Sequence, residues 1–141
     1  MTQPGVESAR QNPVLLVDEG DPTALVLDAN SPRWGATLGG TLYVWRSALR
    51  LTARGALVYA GGPGLSISDL ASIMVRAGAV RPMELDINTD WVNYSVYSPS
   101  TPTGPASAVN GTSLLPDMTG GIGSYFASWW ARDFITMSAA S

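Results

Sequence analysis

Residues 66–78 hold the pattern that most limits the fold. Ile67, Leu70, Ala71, Met74 and Val75 recur at i, i+3, i+4, i+7 and i+8, which is one apolar stripe on a helix. Ser66 can cap the start, with Asp69 three positions on, and Gly78 supplies a left-handed stop. The reading is a helix over 67–77. Ahead of it, residues 49–60 read as the second part of a hairpin, with Ala53-Arg54-Gly55 as the turn and 56–60 as the returning strand. Behind it, 79–88 alternate, Met83, Leu85 and Ile87 facing one way and Glu84, Asp86 and Asn88 the other. Strand, helix and strand in this order predict a crossover unit whose two strands are parallel.

Residues 13–17 read as a short buried strand closed by Asp18, Glu19 and Gly20, and 25–27 as a shorter apolar run. A loop with Asn30, Ser31 and Pro32 follows, and Gly39-Gly40 leads into a strand-like stretch from Thr41 to Ser47. Gly61-Gly62-Pro63-Gly64 fits no regular element. It has no Lys and neither phosphate-loop spacing, so a tight turn is its reading. Trp91–Tyr97 is another strand candidate. Residues 98–124, rich in Pro, Ser, Thr and Gly, form a long irregular loop with a tight turn at Asn110-Gly111. Tyr125, Phe126, Trp129 and Trp130 then precede a strand over 133–137. The class is α+β: a mixed β-sheet, one main amphipathic helix and no internal repeat.

At 141 residues the chain has the length of one domain. With 45% apolar and 13% charged residues it is too apolar for intrinsic disorder, and no apolar run has the length of a membrane span. All eight basic residues are arginine and lie singly, so no basic cluster points to nucleic acid. Cysteine and histidine are both absent, which excludes disulfides, thiolate nucleophiles, Ser-His-Asp triads and Cys/His zinc sites. Catalysis here must use carboxylates, arginine, hydroxyls, amides or an oxygen-bound metal. No cofactor or metal ligand set is read. Met1–Arg10 lacks the basic-then-apolar order of a signal peptide. The triplets Asn93-Tyr94-Ser95 and Asn110-Gly111-Thr112 match glycosylation acceptors, a match common by chance.

A more specific pattern spans roughly 120 residues. It comprises Asn12-Pro13-Val14-Leu15-Leu16-Val17-Asp18, then Arg46-Ser47-Ala48, the Ala53-Arg54-Gly55 turn, the helix, Gly78-Ala79-Val80, Leu85-Asp86, and finally Trp130-Ala131-Arg132-Asp133-Phe134-Ile135. This order resembles the C-terminal half of the phosphodiester glycosidase domain, the family of the mannose-6-phosphate uncovering enzyme. The family normally carries a further block first, with an Asn-Gly-Gly-Phe-like motif. The resemblance therefore implies that 1–141 is a partial domain and Met1 an internal methionine of a longer reading frame. Two departures stand out. After Leu85-Asp86 the family has glycines and a serine; here Ile87-Asn88-Thr89-Asp90-Trp91 resembles a variant associated with actinobacterial proteins. Arg50 stands where Gly is usual.

The reaction the resemblance implies is hydrolysis of a sugar-1-phosphodiester, with phosphodiester-linked carbohydrate as the partner and the cell envelope or exterior as the place. The leaving group is a phosphate monoester with a second pKa of about 6, so it departs without strong acid assistance. A cation must hold the phosphate and a carboxylate must stand at the anomeric carbon. Arg46 is the candidate cation, its planar fork matching phosphate oxygens, against the plainer reading of a surface ion pair. Asp86 is the candidate carboxylate, with Glu84 beside it on the same strand face, roughly 6.6 Å along the strand. The plainer reading is the wet face of a half-buried strand. Ser47, Asn88, Thr89 and Asp90 are candidate substrate contacts, and Trp91 either stacks on sugar or fills the core. A non-catalytic phosphoglycan-binding module is the alternative function, and a poorly folding fragment a third.

Overall fold

Helix α1 spans Ile67–Arg76 and starts with a complete capping box: Asp69 N–H donates to Ser66 Oγ (3.1 Å) and Ser66 N–H to Asp69 Oδ2 (2.9 Å). It ends as the sequence predicts. Gly78 takes φ +71°, its N–H reaching Val75 O while Ala79 N–H reaches Met74 O, which closes the orphan carbonyls of the last turn. Ile67, Leu70, Ala71 and Met74 are all buried. The computed structural model describes residues 14–118, 121–127 and 135–138. The chain divides into two compact units, 1–92 and 93–141.

In the first unit, β1 (Val17–Asp18) and β2 (Asp21–Pro22) form a hairpin. Its two loop residues, Glu19 (φ +52°) and Gly20 (φ +93°), both adopt the left-handed backbone that such short turns require. The 13–17 segment is less regular than expected: only Val17 belongs to a strand, while Leu15 makes a single bridge to Met83, and Pro13 lies outside the described residues. The apolar run at 25–27 lies in a 3-10 turn, Ala24–Leu27.

The main sheet has the order β4-β3-β5, with β3 at Val44–Leu51, β4 at Leu57–Leu65 and β5 at Met83–Glu84. The hairpin turn falls where expected, with Gly55 at φ +82°. Both β4 and β5 run antiparallel to β3, so they are parallel to each other with β3 between them. The crossover β4–α1–β5 is therefore present, as a split unit. The fold class is α+β.

Gly61-Gly62-Pro63-Gly64 is no tight turn: it lies inside β4. Two features make this possible. β4 is an edge strand of the sheet, where a residue without N–H is tolerated. A bulge also absorbs one residue, for Val44 pairs with Leu65 but Arg46 with Gly62, and Gly64 takes φ +62°.

The core of the first unit joins Val14, Leu16, Val17, Val26, Trp34 and Ala48 to the buried face of α1. Ala48, Val58 and Ala60 show which face of the sheet packs inward. Glu84 lies opposite Ala48 and so points inward too. The expected polar face is thus inverted at Glu84: Met83 and Leu85 are half-buried on the other side, and Glu84 is 4% exposed. Alternation separates the two faces of a strand, but tertiary pairing decides which one meets the core.

In the second unit, β6 (Ser95–Tyr97) pairs antiparallel with β7 (Gly111–Ser113). Of the strand expected over 91–97, only 95–97 forms. Within the span read as an irregular loop, Ser107 and Asn110 bracket a 3-10 turn over Ala108–Asn110, Asn110 Oδ1 accepting from Ser107 N–H at 3.0 Å, and β7 begins at Gly111. The short helix α2 (Gly121–Ser124) lies where Tyr97 Oη donates to Ile122 O (2.8 Å), and Phe126 meets Tyr97 edge to face. Trp129, Trp130 and the first part of the expected 133–137 strand lie outside the described residues; 135–138 has no regular structure. Among the described residues no helix is long and apolar enough to cross a membrane.

Candidate functional site

The pairing of β3 with the segment after α1 extends beyond the two residues of β5. Ser47 N–H donates to Asp86 O (2.9 Å) and Leu85 N–H to Ser47 O (2.8 Å). Leu85 and Asp86 thus both meet Ser47, a bulge that ends the regular ladder at Ala48–Glu84 and leaves Asp86 beside Ser47. Of the residues singled out from sequence, Arg46 and Glu84 are in contact, and Asp86, bonded to Ser47, is close enough for its charge to act on Glu84.

Arg46 is 2% exposed, too buried to carry charge unless partnered. Its Nη1 donates to Glu84 Oε1 at 2.5 Å. Its Nε donates to Leu65 O (3.1 Å) and its Nη2, at 3.4 Å, to Leu42 O. The Leu65 carbonyl comes from the residue just past the Pro63-Gly64 bulge, so the glycine-rich segment helps to orient the guanidinium. This is an internal ion pair, not the surface pair of the plainer reading. Two forces contend at Glu84. Burial disfavours its charged form, Arg46 favours it, and the nearby Asp86 carboxylate disfavours it; the balance raises Glu84 to about 7.

Arg46 also lines a cavity of about 250 Å³ whose other wall is the 29–42 segment, including Ser31, Trp34, Gly35, Thr37 and Thr41. That wall is shaped by 3-10 turns at Pro32–Trp34 and Leu38–Gly40. Trp34, buried, anchors it with Nε1 donating to Asp28 O at 3.0 Å. Gly35 has φ +86° and ψ 163°, a conformation essentially reserved for glycine. A Cβ there would lie 2.5 Å from Ile87 Cδ1, so Ile87 packs directly on the cavity wall one residue after Asp86. Gly35→Ala should destabilise the first unit by about 1–3 kcal/mol. Urea denaturation followed by Trp fluorescence reads this, and a loss below roughly 0.5 kcal/mol would mean that the wall adapts freely.

The remaining candidates are placed differently. Ser47 is buried and its Oγ accepts from Asp86 N–H (3.2 Å), so it ties the two strands together and is not presented to a ligand. Asp86 is exposed. Asn88, Thr89 and Asp90 are exposed in the turn beyond, where Asn88 Oδ1 accepts from the N–H groups of Asp90 (2.9 Å) and Trp91 (3.1 Å). None of these four lines the cavity. Trp91 is 39% exposed, not a core residue; Trp34 fills that role. Among the described residues no group of three or more acidic side chains could hold a metal ion. What the sequence reading missed is the 29–42 wall, whose only signal was its density of Gly, Ser and Pro around a lone Trp. Compared with protein-family models, curated proteins and solved structures, the chain gives no match.

Proposed function

We propose that the first unit binds a sugar-1-phosphodiester at Arg46 and hydrolyses it with Asp86, the reaction implied by the resemblance to the phosphodiester glycosidases. The observation that supports this reading is Arg46, which lines the cavity, with Asp86 bonded to the neighbouring Ser47. A guanidinium has five N–H donors. Among the described residues Glu84, Leu65 O and Leu42 O accept from three of them, and the same side chain lines the cavity. Glu84, buried against Arg46, is then a positioning residue and no longer a candidate acid. Asp86, exposed beside the wall residue Ile87, is the group to attack the anomeric carbon or to take a proton from water. Phosphate leaves without an acid, so a single working carboxylate meets the chemical demand.

The test is release of free sugar from a methyl diester of a sugar-1-phosphate, by a chain carrying any in-frame sequence upstream of Met1. Asp86→Asn should lower release by about 10²–10⁴-fold. Undiminished release by Asp86→Asn would remove Asp86 from the mechanism. One observation favours the second reading, a phosphoglycan-binding module: Asp86 is not among the residues lining the cavity at Arg46. Heat of binding without product in the same samples would establish the module in place of the enzyme.

A further inference from the structure

The ion pair behind the cavity gives the site a property beyond simple anion binding. Arg46 touches the cavity on one side and Glu84 on the other, and Glu84 lies on the inward face of the sheet. A ligand anion and the Glu84 carboxylate therefore compete for one guanidinium charge. With Glu84 ionised the pair is neutral and attracts an anion weakly; with Glu84 protonated, Arg46 presents its full charge to the cavity.

We propose that the cavity takes up a singly charged phosphodiester together with one proton, the proton residing on Glu84. This rests on the reading of Arg46 as the phosphate-holding cation. Among the described residues, the charges acting on Glu84 are those of Arg46 and Asp86. From β3, Arg46 pairs with it, Ala48 is its direct neighbour, and Arg50, exposed on the same face, directs its Nε to Val80 O. The segment on its other side offers the Val14 carbonyl, which accepts Glu84 N–H at 3.2 Å. Helix α1 turns apolar Leu70, Ala71 and Met74 inward, and β4 brings Ala60 and Gly62 to the same face. Asp86, from its own segment, adds negative charge that further favours the protonated form. The same carboxylates disfavour a doubly charged monoester, which selects an internal diester over a terminal phosphate.

Calorimetric titration of the chain with dimethyl phosphate tests this, because the charge of a diester is constant across the range used. With Glu84 titrating at about 7, affinity should fall ~tenfold from pH 6 to pH 8. Binding at pH 8 should draw nearly one proton from the buffer, seen as a heat that changes with buffer ionisation enthalpy. Glu84→Gln should bind with pH-independent affinity and no proton uptake; the wild-type buffer dependence stands as evidence even if that variant folds poorly. Equal affinity at both pH values without buffer-dependent heat would overturn the linkage and leave Arg46 as a phosphate site. Absence of dimethyl phosphate binding at every pH would overturn the linkage and the phosphate site together. Sugar release in the preceding assay reports separately on catalysis.

Discussion

At pH 8, where Glu84 is ionised, Glu84→Ala should destabilise the first unit by about 3–5 kcal/mol, a large share of the stability of a domain this size. The variant leaves Arg46 at 2% exposure with its Nη1 partner gone and its charge uncompensated. The two remaining acceptors, Leu65 O and Leu42 O, are neutral carbonyls that cannot replace a carboxylate. The loss measures the broken pair, not the net worth of the intact one, because burying both charges is itself costly. The double variant Arg46→Met/Glu84→Leu should therefore recover most of the loss, within about 1 kcal/mol of wild type or better. Urea denaturation of the three proteins gives the comparison. A Glu84→Ala loss below ~1 kcal/mol would mean that water reaches Arg46 and the pair behaves as a surface one.

The second large effect is a fall in stability as pH rises. Burial lifts Glu84 from 4.5 to about 7 in the folded chain, while the unfolded chain keeps the ordinary value. Between those values the folded state holds more protons than the unfolded one, so the slope of unfolding free energy against pH is negative. The contribution is fully present below about pH 4.5 and lost as pH climbs through about 7. Its size is about 3 kcal/mol, since a tenfold change in proton affinity is worth about 1.4 kcal/mol. Asp69 acts the other way: hydrogen bonds from Ser66 hold it below its usual range, so its contribution disappears only at acid pH. Denaturant midpoints between pH 5 and pH 8 isolate the Glu84 effect. Glu84→Gln should flatten the profile, and an unchanged profile in that variant would assign the slope to another group.

How much of this could be read from the chain differs from element to element. Helix α1 was legible to within a residue because its signals are local: a stripe at helical spacing, Ser66 with Asp69, and Gly78. The Ala53–Gly55 turn was legible for the same reason. The face of Glu84 was not, since it depends on which strand pairs with residues 83–86, and the partner is 36 positions away at Ala48. The Gly-Pro-Gly stretch misled because its local preference for a turn was overridden by its place on a sheet edge with a bulge. Arg46, Glu84 and Asp86 stand out together in the sequence, but their division of labour, a buried pair and an exposed acid, comes from burial that no residue spacing encodes. The cavity wall stayed hidden because 3-10 turns at Pro32–Trp34 and Leu38–Gly40 leave too short a periodicity to detect.

The 29–42 wall and the β3 floor are built on different principles. Ser47 and Ala48 sit on a strand bonded along both edges, and Arg46, next to them, is held by β4 and by Glu84. Gly35, Gly39 and Gly40 instead give the wall three left-handed joints in six residues. On the proposed reading, anchoring and selectivity are thus separable by mutation: exchanging wall side chains such as Thr37 or Thr41 would retune which sugar is admitted, while the charge proposed to hold its phosphate stays where the sheet puts it.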